Sequence, residues 1–308
     1  MGLDYPGFGL TIKILKMIPS RLFFSNKLRC SVLVVGILLT GCASNKISKN
    51  SSFYFIQMSD PQFGMFNENK SFEKETENFT RAIQEANRLK PAFVVVTGDL
   101  VNRAFDTAQI AEYKRISHQL NENIPLYNVP GNHDIGNTPN PANIASYRKE
   151  FGADYYSFNY KSMLGIVLNS VYLHSPENVP VEAMAQEKWL LRTLEEARGK
   201  HYDHIIVFLH HPLFLKQQNE ADEYFNIPKV TRKKYMDIFK ANGIRYVFAG
   251  HYHRSSFGKD GDIEMVTTGP VGKPLGNDRS GFRIISIYGK RVSHKYYSLD
   301  SIPAKLIN

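Results

Sequence analysis

Cysteine is the scarcest chemistry in this 308-residue chain, which holds two, Cys30 and Cys42. Everything after Cys42 lacks thiols, which excludes a disulfide framework or a thiolate-ligated zinc site from the main body. Long apolar runs are lacking at the start as well. The run from Ser31 to Thr40 covers about ten residues, too short for a hydrocarbon core of ~30 Å but suited to the apolar region of a signal peptide. A basic run is also missing. The formal charge is +9, yet Lys13, Lys16, Arg21, Lys27 and Arg29, against Asp4, account for +4 of it, and the other +5 is scattered. That distribution describes a solvated surface and gives no reason to expect nucleic acid as a partner. No internal repeat, low-complexity tract or linker follows residue 52, and 43% hydrophobic residues with 12% aromatics supply a substantial core. One domain over residues 53–308 is expected.

The segment before it reads as a leader. Lys27 and Arg29 precede the apolar run, and Leu39-Thr40-Gly41-Cys42 follows it. This tetrapeptide resembles a bacterial lipobox. The resemblance implies cleavage before Cys42, a signal peptide over 1–41, a lipidated Cys42 with a tether over 42–52, and a place in the cell envelope, periplasmic or outer-membrane associated. Two or three acyl chains would anchor stably where one would not. An uncleaved N-terminal anchor or a chance match to the lipobox is the alternative, and translation beginning at Met17 would leave the signal intact.

What the chain does have is a series of apolar, β-branched runs that stop at polar residues. Phe53-Tyr54-Phe55-Ile56-Gln57 predicts a strand ending at Ser59-Asp60-Pro61-Gln62-Phe63-Gly64, where Pro61 and Gly64 force a loop. An amphipathic helix is expected from Ser71 to Lys90, stopped by Pro91, with Phe72, Phe79, Ile83, Ala86 and Leu89 on its apolar stripe. Phe93 to Thr97 reads as a fully buried strand that delivers Gly98-Asp99, and a second helix covers Thr107 to Leu120. Leu126 to Val129 leads into Pro130-Gly131-Asn132-His133-Asp134. A hairpin is expected over Tyr155–Tyr160 and Leu164–Asn169, then a helix over Ala183–Ala197. The strand Ile205–Leu209 ends at His210-His211-Pro212, a helix spans about Val230–Ala241, and Tyr246–Ala249 ends at Gly250-His251-Tyr252-His253. Ile263–Thr267, Phe282–Tyr288 and Val292–Tyr297 read as a mainly antiparallel finish. This alternation is that of a βαβ-based fold, whose ligands lie beyond the carboxyl ends of the strands.

Collected in order, the strand-end residues are Asp60, Gln62, Asp99, Asn132, His133, His210, His251 and His253. Oxygen and imidazole donors without thiolate suit Mn²⁺, Fe, Zn²⁺ or Mg²⁺. The set is large enough for two ions, and a carboxylate such as Asp99 can bridge them. Two ions ~3.5–4 Å apart generate a nucleophilic hydroxide at neutral pH and neutralise the charge growing on a phosphoryl group.

The blocks Asp60-Pro-Gln62, Gly98-Asp99, Gly131-Asn132-His133-Asp134, His210 and Gly250-His251-Tyr252-His253 resemble, in order, the motif series of the calcineurin-like metallophosphoesterases. Ser59 to Gly64, Phe225-Asn226-Ile227-Pro228, Gly250 to Arg254 and Tyr296 to Pro303 carry a closer resemblance to the CSTP-type branch of calcineurin-like phosphoesterase domain-containing proteins. The resemblance implies an α/β fold: a four-layer α-β-β-α sandwich of two mixed sheets flanked by helices. It implies one ion on Asp60, Gln62, Asp99 and His253, and a second on Asp99, Asn132, His210 and His251. His133 would touch the phosphate and protonate the leaving oxygen, with Asp134 orienting its imidazole. Arg254, at a position with no required role in that pattern, is a candidate phosphate clamp. Gln62 departs from the commoner histidine and, as a neutral amide oxygen, favours Mn²⁺ or Mg²⁺ over Zn²⁺ at a labile first site. The implied activity is hydrolysis of a phosphoric ester, with a phosphomonoesterase acting on phosphoprotein or a small phosphate ester favoured. A phosphodiesterase and a non-catalytic metal- or ligand-binding envelope lipoprotein are the alternatives. His211 either packs beside His210 or meets substrate. His118, His174, His201, His204 and His294 read as structural, while Tyr155, Tyr156, Tyr224 and Phe225 belong either to a substrate cleft or to the core. Oligomeric state is not legible in the sequence.

Overall fold

The computed structural model describes residues 52–306. The leader, Cys42 and the tether up to residue 51 lie outside the described residues. Strands β1 (Phe53–Met58), β2 (Val94–Thr97) and β3 (Leu126–Val129) run parallel, with helices α1 (Glu73–Leu89) and α2 (Thr107–Ser117) between them. Two C-terminal strands, β10 (Gly281–Tyr288) and β11 (Arg291–Ser298), pair antiparallel on the outer side of β1, giving the sheet order β11-β10-β1-β2-β3. Short helices α3 (Asn132–Ile135) and α4 (Pro141–Phe151) lead to the second sheet.

That sheet has the order β4-β5-β6-β7-β9-β8. It is built from β4 (Tyr156–Tyr160), β5 (Met163–Val167), β6 (His204–Phe208), β7 (Tyr246–Ala249), β8 (Ser256–Asp260) and β9 (Ile263–Thr267). Its connections carry α5 (Val171–His174), α6 (Pro180–Arg198) and α7 (Lys229–Ala241). Strands β5, β6, β7 and β9 are parallel, and β4 and β8 are antiparallel edges. Both sheets are therefore mixed and flanked by helices, as the resemblance implied. Strand β9 departs from the expected antiparallel finish because it returns parallel beside β7.

The period-two alternation of the strands decides which layer each side chain enters. Phe55, Phe93, Val95, Ile206, Phe208 and Phe248 fill the space between the sheets, while Ile56, Val94, Val96 and Val207 face the helices with Phe79, Ile83 and Ala86 of α1. Phe55 stacks on Phe93 with ring centroids 4.6 Å apart and meets Phe208 and Phe248 edge-on at 5.7 and 6.1 Å. Such offset and edge geometries are the favoured ones for buried rings. Helix α1 starts at Glu73, two residues later than the sequence suggests, and its Glu75 is buried, accepting N–H bonds from Gly64 and Phe66 at 3.2 and 2.7 Å. It thereby ties the helix to the loop that leaves β1. Arg283 of β10 donates from Nε to Thr268 Oγ1 at 2.8 Å, Thr268 donates to Gln57 Oε1 at 2.6 Å, and Gln57 Nε2 donates to Ala249 O at 3.0 Å. This buried polar chain crosses between the sheets next to the strand ends.

Candidate metal centre

Asp60 and Gln62 follow β1, Asp99 follows β2, Asn132 and His133 follow β3, His210 follows β6, and His251 and His253 follow β7. All lie past the carboxyl ends of parallel strands, so both sheets contribute to one site. The turns that carry them are unusual. Asp60, Gln62, Asp99, His251 and His253 have φ of 48°, 39°, 50°, 68° and 54°, a left-handed conformation that L-residues adopt at a cost of ~1–3 kcal/mol each. The backbone leaves the extended strand abruptly and turns each side chain into the crevice.

Ligand atoms of Asp99, His210 and His251 lie within 4.8 Å of one another, and so do those of Asp60, Asp99 and His253. Asp99 belongs to both groups. The tautomers follow from the outer nitrogens. His210 Nδ1 lies 2.9 Å from Thr97 O, His251 Nε2 lies 3.1 Å from Tyr224 O and His253 Nδ1 lies 2.7 Å from Lys273 O. A carbonyl only accepts, so each of these nitrogens carries the proton and the other offers a lone pair. His210 Nε2 then faces His251 Nδ1 at 3.1 Å, Asn132 Oδ1 at 3.0 Å and Asp99 Oδ2 at 3.2 Å. Four acceptor atoms converge here, an arrangement that a cation satisfies, either a metal ion or a proton taken up by His210. In the second group, His253 Nε2 is 3.5 Å from Asp60 Oδ1, and Gln62 Oε1 is buried without a partner among the described residues. Leaving such an oxygen unpaired costs ~1–3 kcal/mol unless an ion takes it. The donor set fits a pair of hard or borderline divalent ions.

Electrostatics point the same way. Burial works against the charge on Asp99, yet His210, His133 and His251 hold its carboxyl well below the usual range. Burial raises Asp60, opposed by His253 and His210. Burial also opposes a charge on His210, but Asp99 and Asp60 push it up to about 9, whereas burial and the charge on His210 push His251 down to about 3. A proton on His210 is the alternative to a metal ion among these lone pairs, so the two compete.

His133 lies beside the shared carboxylate, its backbone N–H donating to Asp99 Oδ1 at 2.8 Å. Its ring Nδ1 is 2.7 Å from the carbonyl of Asn102. This corrects the role expected of Asp134, which does not touch the imidazole. The Asp134 carboxylate instead accepts N–H bonds from Leu100 at 2.8 Å, Val101 at 3.1 Å and Gly131 at 2.8 Å, and burial with the Asp99 charge pushes it up to about 8. Asp134 ties the loop after β2 to the loop after β3, and Asn102 orients His133.

His211 is buried, with Nδ1 2.9 Å from Ser170 Oγ. That hydroxyl also faces the N–H groups of His210 and His211 at 3.1 and 2.8 Å. It accepts both and must donate its own hydrogen to His211 Nδ1, leaving the proton of His211 on Nε2. His174, read from the sequence as structural, stacks on His211 at 4.8 Å because the short helix α5 turns it inward. Arg254 lies over Tyr252 at 5.0 Å with its Nε buried and unpartnered among the described residues. The aromatic candidates separate: Tyr155 packs on Trp189 and Tyr156 donates to Asn128 O, both away from the site. Tyr224 is 53% exposed with its hydroxyl 3.5 Å from Asn132 Nδ2, and Phe225 lies 5.6 Å from the His251 ring.

The family model for calcineurin-like phosphoesterases matches residues 53–255. The chain belongs to the calcineurin-like phosphoesterase family. A serine/threonine-protein phosphatase CPPED1 from Homo sapiens is 39% identical over 82% of this chain and 86% of its own length, and the one from Danio rerio is 36% identical over 81% and 86%. Among solved structures, a dimetal phosphatase from Danio rerio superposes with a TM-score of 0.57 at 14% identity, covering 80% of this chain and 96% of that one. At that identity the likeness bears on the fold alone. Like its family, this calcineurin-like phosphoesterase hydrolyses phosphoric esters at a dinuclear divalent metal site.

Proposed function

We propose that this chain is a phosphomonoesterase of the CSTP-type branch, acting on a phosphoprotein or a small phosphate ester. The observation that carries the metal assignment is the convergence of buried lone pairs on either side of Asp99. In this reading Asp60, Gln62, Asp99 and His253 hold one ion, and Asp99, Asn132, His210 and His251 hold the other. The oxygen-rich first group favours Mn²⁺ or Fe, with Mg²⁺ or Zn²⁺ as substitutes. Two such ions, when bound, supply Lewis acidity toward the phosphoryl oxygens and an activated water at neutral pH.

The chain's own residues do the rest. His133 has Nδ1 committed to Asn102 O, so Nε2 is the atom that faces the reaction, and in the imidazolium form it carries the second, transferable proton. The oxygen of water adds to phosphorus as the ester P–O bond breaks, the Nε2 proton passes to the leaving oxygen, and the proton that water loses returns through solvent to Nε2, giving an alcohol and phosphate. Tyr224 and Phe225 border the crevice beside His251, and Arg254 offers its guanidinium to the phosphate oxygens. The relatives named as serine/threonine-protein phosphatases, matched over most of the chain, favour monoester over diester. The signal over 1–41, the lipid on Cys42 and a bacterial-envelope location complete the reading, with residues 53–308 as the enzyme domain.

The test is manganese-dependent turnover of p-nitrophenyl phosphate, its bis ester and a phosphoserine peptide by wild type and by Asp99→Asn and His251→Ala. Loss of turnover in both variants and a preference for monoesters are expected. Full activity in metal-stripped protein, or a bis ester processed faster than the monoester, would sink the corresponding part. For the anchor, Cys42→Ala should leave the membrane fraction or remain unprocessed, and unchanged mass and fractionation would count against lipidation.

A further inference from the structure

Gln62 is an ambiguous ligand, because a carboxamide turned by half a rotation presents N–H instead of oxygen. The side chains behind it remove the ambiguity. Gln109 Oε1 faces the backbone N–H groups of Asn102 and Arg103 at 3.0 and 2.9 Å. Backbone N–H groups can only donate, so this atom is the oxygen and the amide nitrogen of Gln109 points the other way. That nitrogen donates to Asn69 Oδ1 at 2.9 Å, which also accepts from Asn102 Nδ2 at 2.8 Å. Asn102 Oδ1 then accepts from Gln62 Nε2 at 3.0 Å. Only Oε1 of Gln62 is left, buried and unpartnered among the described residues, for the first metal position.

We infer that Asn102, Asn69 and Gln109 are positioning residues: a carboxamide relay that starts at two backbone N–H groups and forces Gln62 to present oxygen to the ion. The relay passes through a gap held open by Gly64, whose φ is 107°. A Cβ there would lie 2.6 Å from Gln109 Nε2 and 2.8 Å from Asn69 Oδ1. Asn102 serves twice, since its backbone carbonyl also holds His133 Nδ1. One residue thus fixes the polarity of a metal ligand and the ring nitrogen through which His133 acts. The relay rests on the metal assignment proposed above but adds residues that no ligand motif contains.

Reversing the relay is the test. In Gln109→Glu one carboxylate oxygen still accepts the two backbone N–H groups, but the other now faces Asn69 Oδ1. Relief requires Asn69, then Asn102, then Gln62 to turn over, which aims Gln62 N–H at the ion. Asn69→Asp adds the same negative charge two steps from Gln62 yet remains an acceptor, so the polarity is kept. Manganese affinity and stoichiometry are read by isothermal titration calorimetry and by electron paramagnetic resonance of bound Mn²⁺, with thermal unfolding of the metal-free proteins as the check on folding. Gln109→Glu should weaken the first ion ~10–100-fold, the usual scale for loss of an outer partner of a ligand. Asn69→Asp should bind at least as tightly as wild type. Gln62→Glu combined with Gln109→Glu should regain the ion, because a carboxylate can accept from the reversed Asn102 and still ligate. Equal losses in Gln109→Glu and Asn69→Asp, or no recovery in the double variant, would overturn the relay, as would two tightly held ions in Gln109→Glu. A wild-type protein that takes up no Mn²⁺ would remove the dinuclear reading and the relay together; two ions in wild type with an unaffected Gln109→Glu removes the relay alone.

Discussion

Gly250→Ala inserts one methyl group where the two sheets meet at the metal centre, and its consequences can be worked from the contacts around it. A Cβ at this position would overlap Ser59 Oγ outright and lie 2.7 Å from Asp60 Oδ2 and 2.8 Å from Thr97 O. Ordinary contact begins at 3.4 Å, so after Ser59 rotates away the other two atoms must still retreat by about 0.6–0.7 Å. Neither is free to do so. Thr97 O holds His210 Nδ1 at 2.9 Å, and Asp60 accepts the N–H of His251 at 3.1 Å. Overpacking of this kind costs ~1–3 kcal/mol. Because the displaced atoms anchor ligands of both ions, a shift approaching 1 Å should lower kcat on p-nitrophenyl phosphate about 10²-fold at saturating Mn²⁺. Ser59→Ala in the same chain removes the worst overlap but leaves the other two, so the double variant should recover stability more than turnover. Wild-type turnover and Mn²⁺ affinity in Gly250→Ala would refute the reasoning, since the strand-end geometry would then tolerate a displacement that the contacts forbid.

Asp99→Asn should reduce bound Mn²⁺ from two ions to none that survives dialysis, because both groups share that carboxylate; one ion retained at full affinity would contradict the bridge. Arg232→Leu removes a fully buried guanidinium that donates to the carbonyls of Ile227, Gln218 and Glu220, and should cost ~1–3 kcal/mol in calorimetric stability for each carbonyl left buried without a donor, while loosening the segment that carries Tyr224. An unchanged melting temperature would argue against that role. Burial, with Arg283 beside it, pushes His294 down to about 4, and Arg283 donates to its Nδ1 at 3.0 Å. The unfolded chain, with an ordinary histidine pKa near ~6.5, binds more protons between those values. Stability is therefore complete above ~6.5 and falls as the pH drops toward 4, by about 1–2 kcal/mol at pH ~5 for this partly exposed ring. Denaturation of His294→Gln in urea should show a shallower acid slope, and an identical slope would exclude His294 as its source.

Much of this molecule was legible because its strands are short β-branched runs ended by residues that cannot continue them. Phe93 to Thr97 stopping at Gly98-Asp99 needed only periodicity and a breaker. The shorter elements were not legible for the same reason. Helix α4 declares itself only by Asn140, which accepts the N–H of Asn143, and by Pro141 at its first position. Strand β8, Ser-Phe-Gly-Lys-Asp, lacks strand-forming residues apart from Phe257 and exists as an edge beside β9. In the site, the direct ligands stand in motifs, whereas Asn102 and the Tyr224 carbonyl arrive through loop packing, and His174 through a four-residue helix, that no spacing encodes. Asp134 shows the opposite failure. Adjacency in sequence suggested a partner for His133, but the helical turn after Gly131 sends the carboxylate back to its own backbone.

The ligand groups draw on both sheets, with Asp60 and His251 separated by 191 positions along the chain. Bound ions would act as rivets across the sandwich, closing loops that nothing covalent closes in a domain without cysteine. A contact that forms only when the two sheets have docked is absent from a folding nucleus built within either sheet, so it retards opening more than it hastens closure. Loading with Mn²⁺ should then lengthen the lifetime of the folded state against denaturant while leaving its refolding rate nearly untouched. The metal centre would set how long the protein lasts as well as what it cleaves.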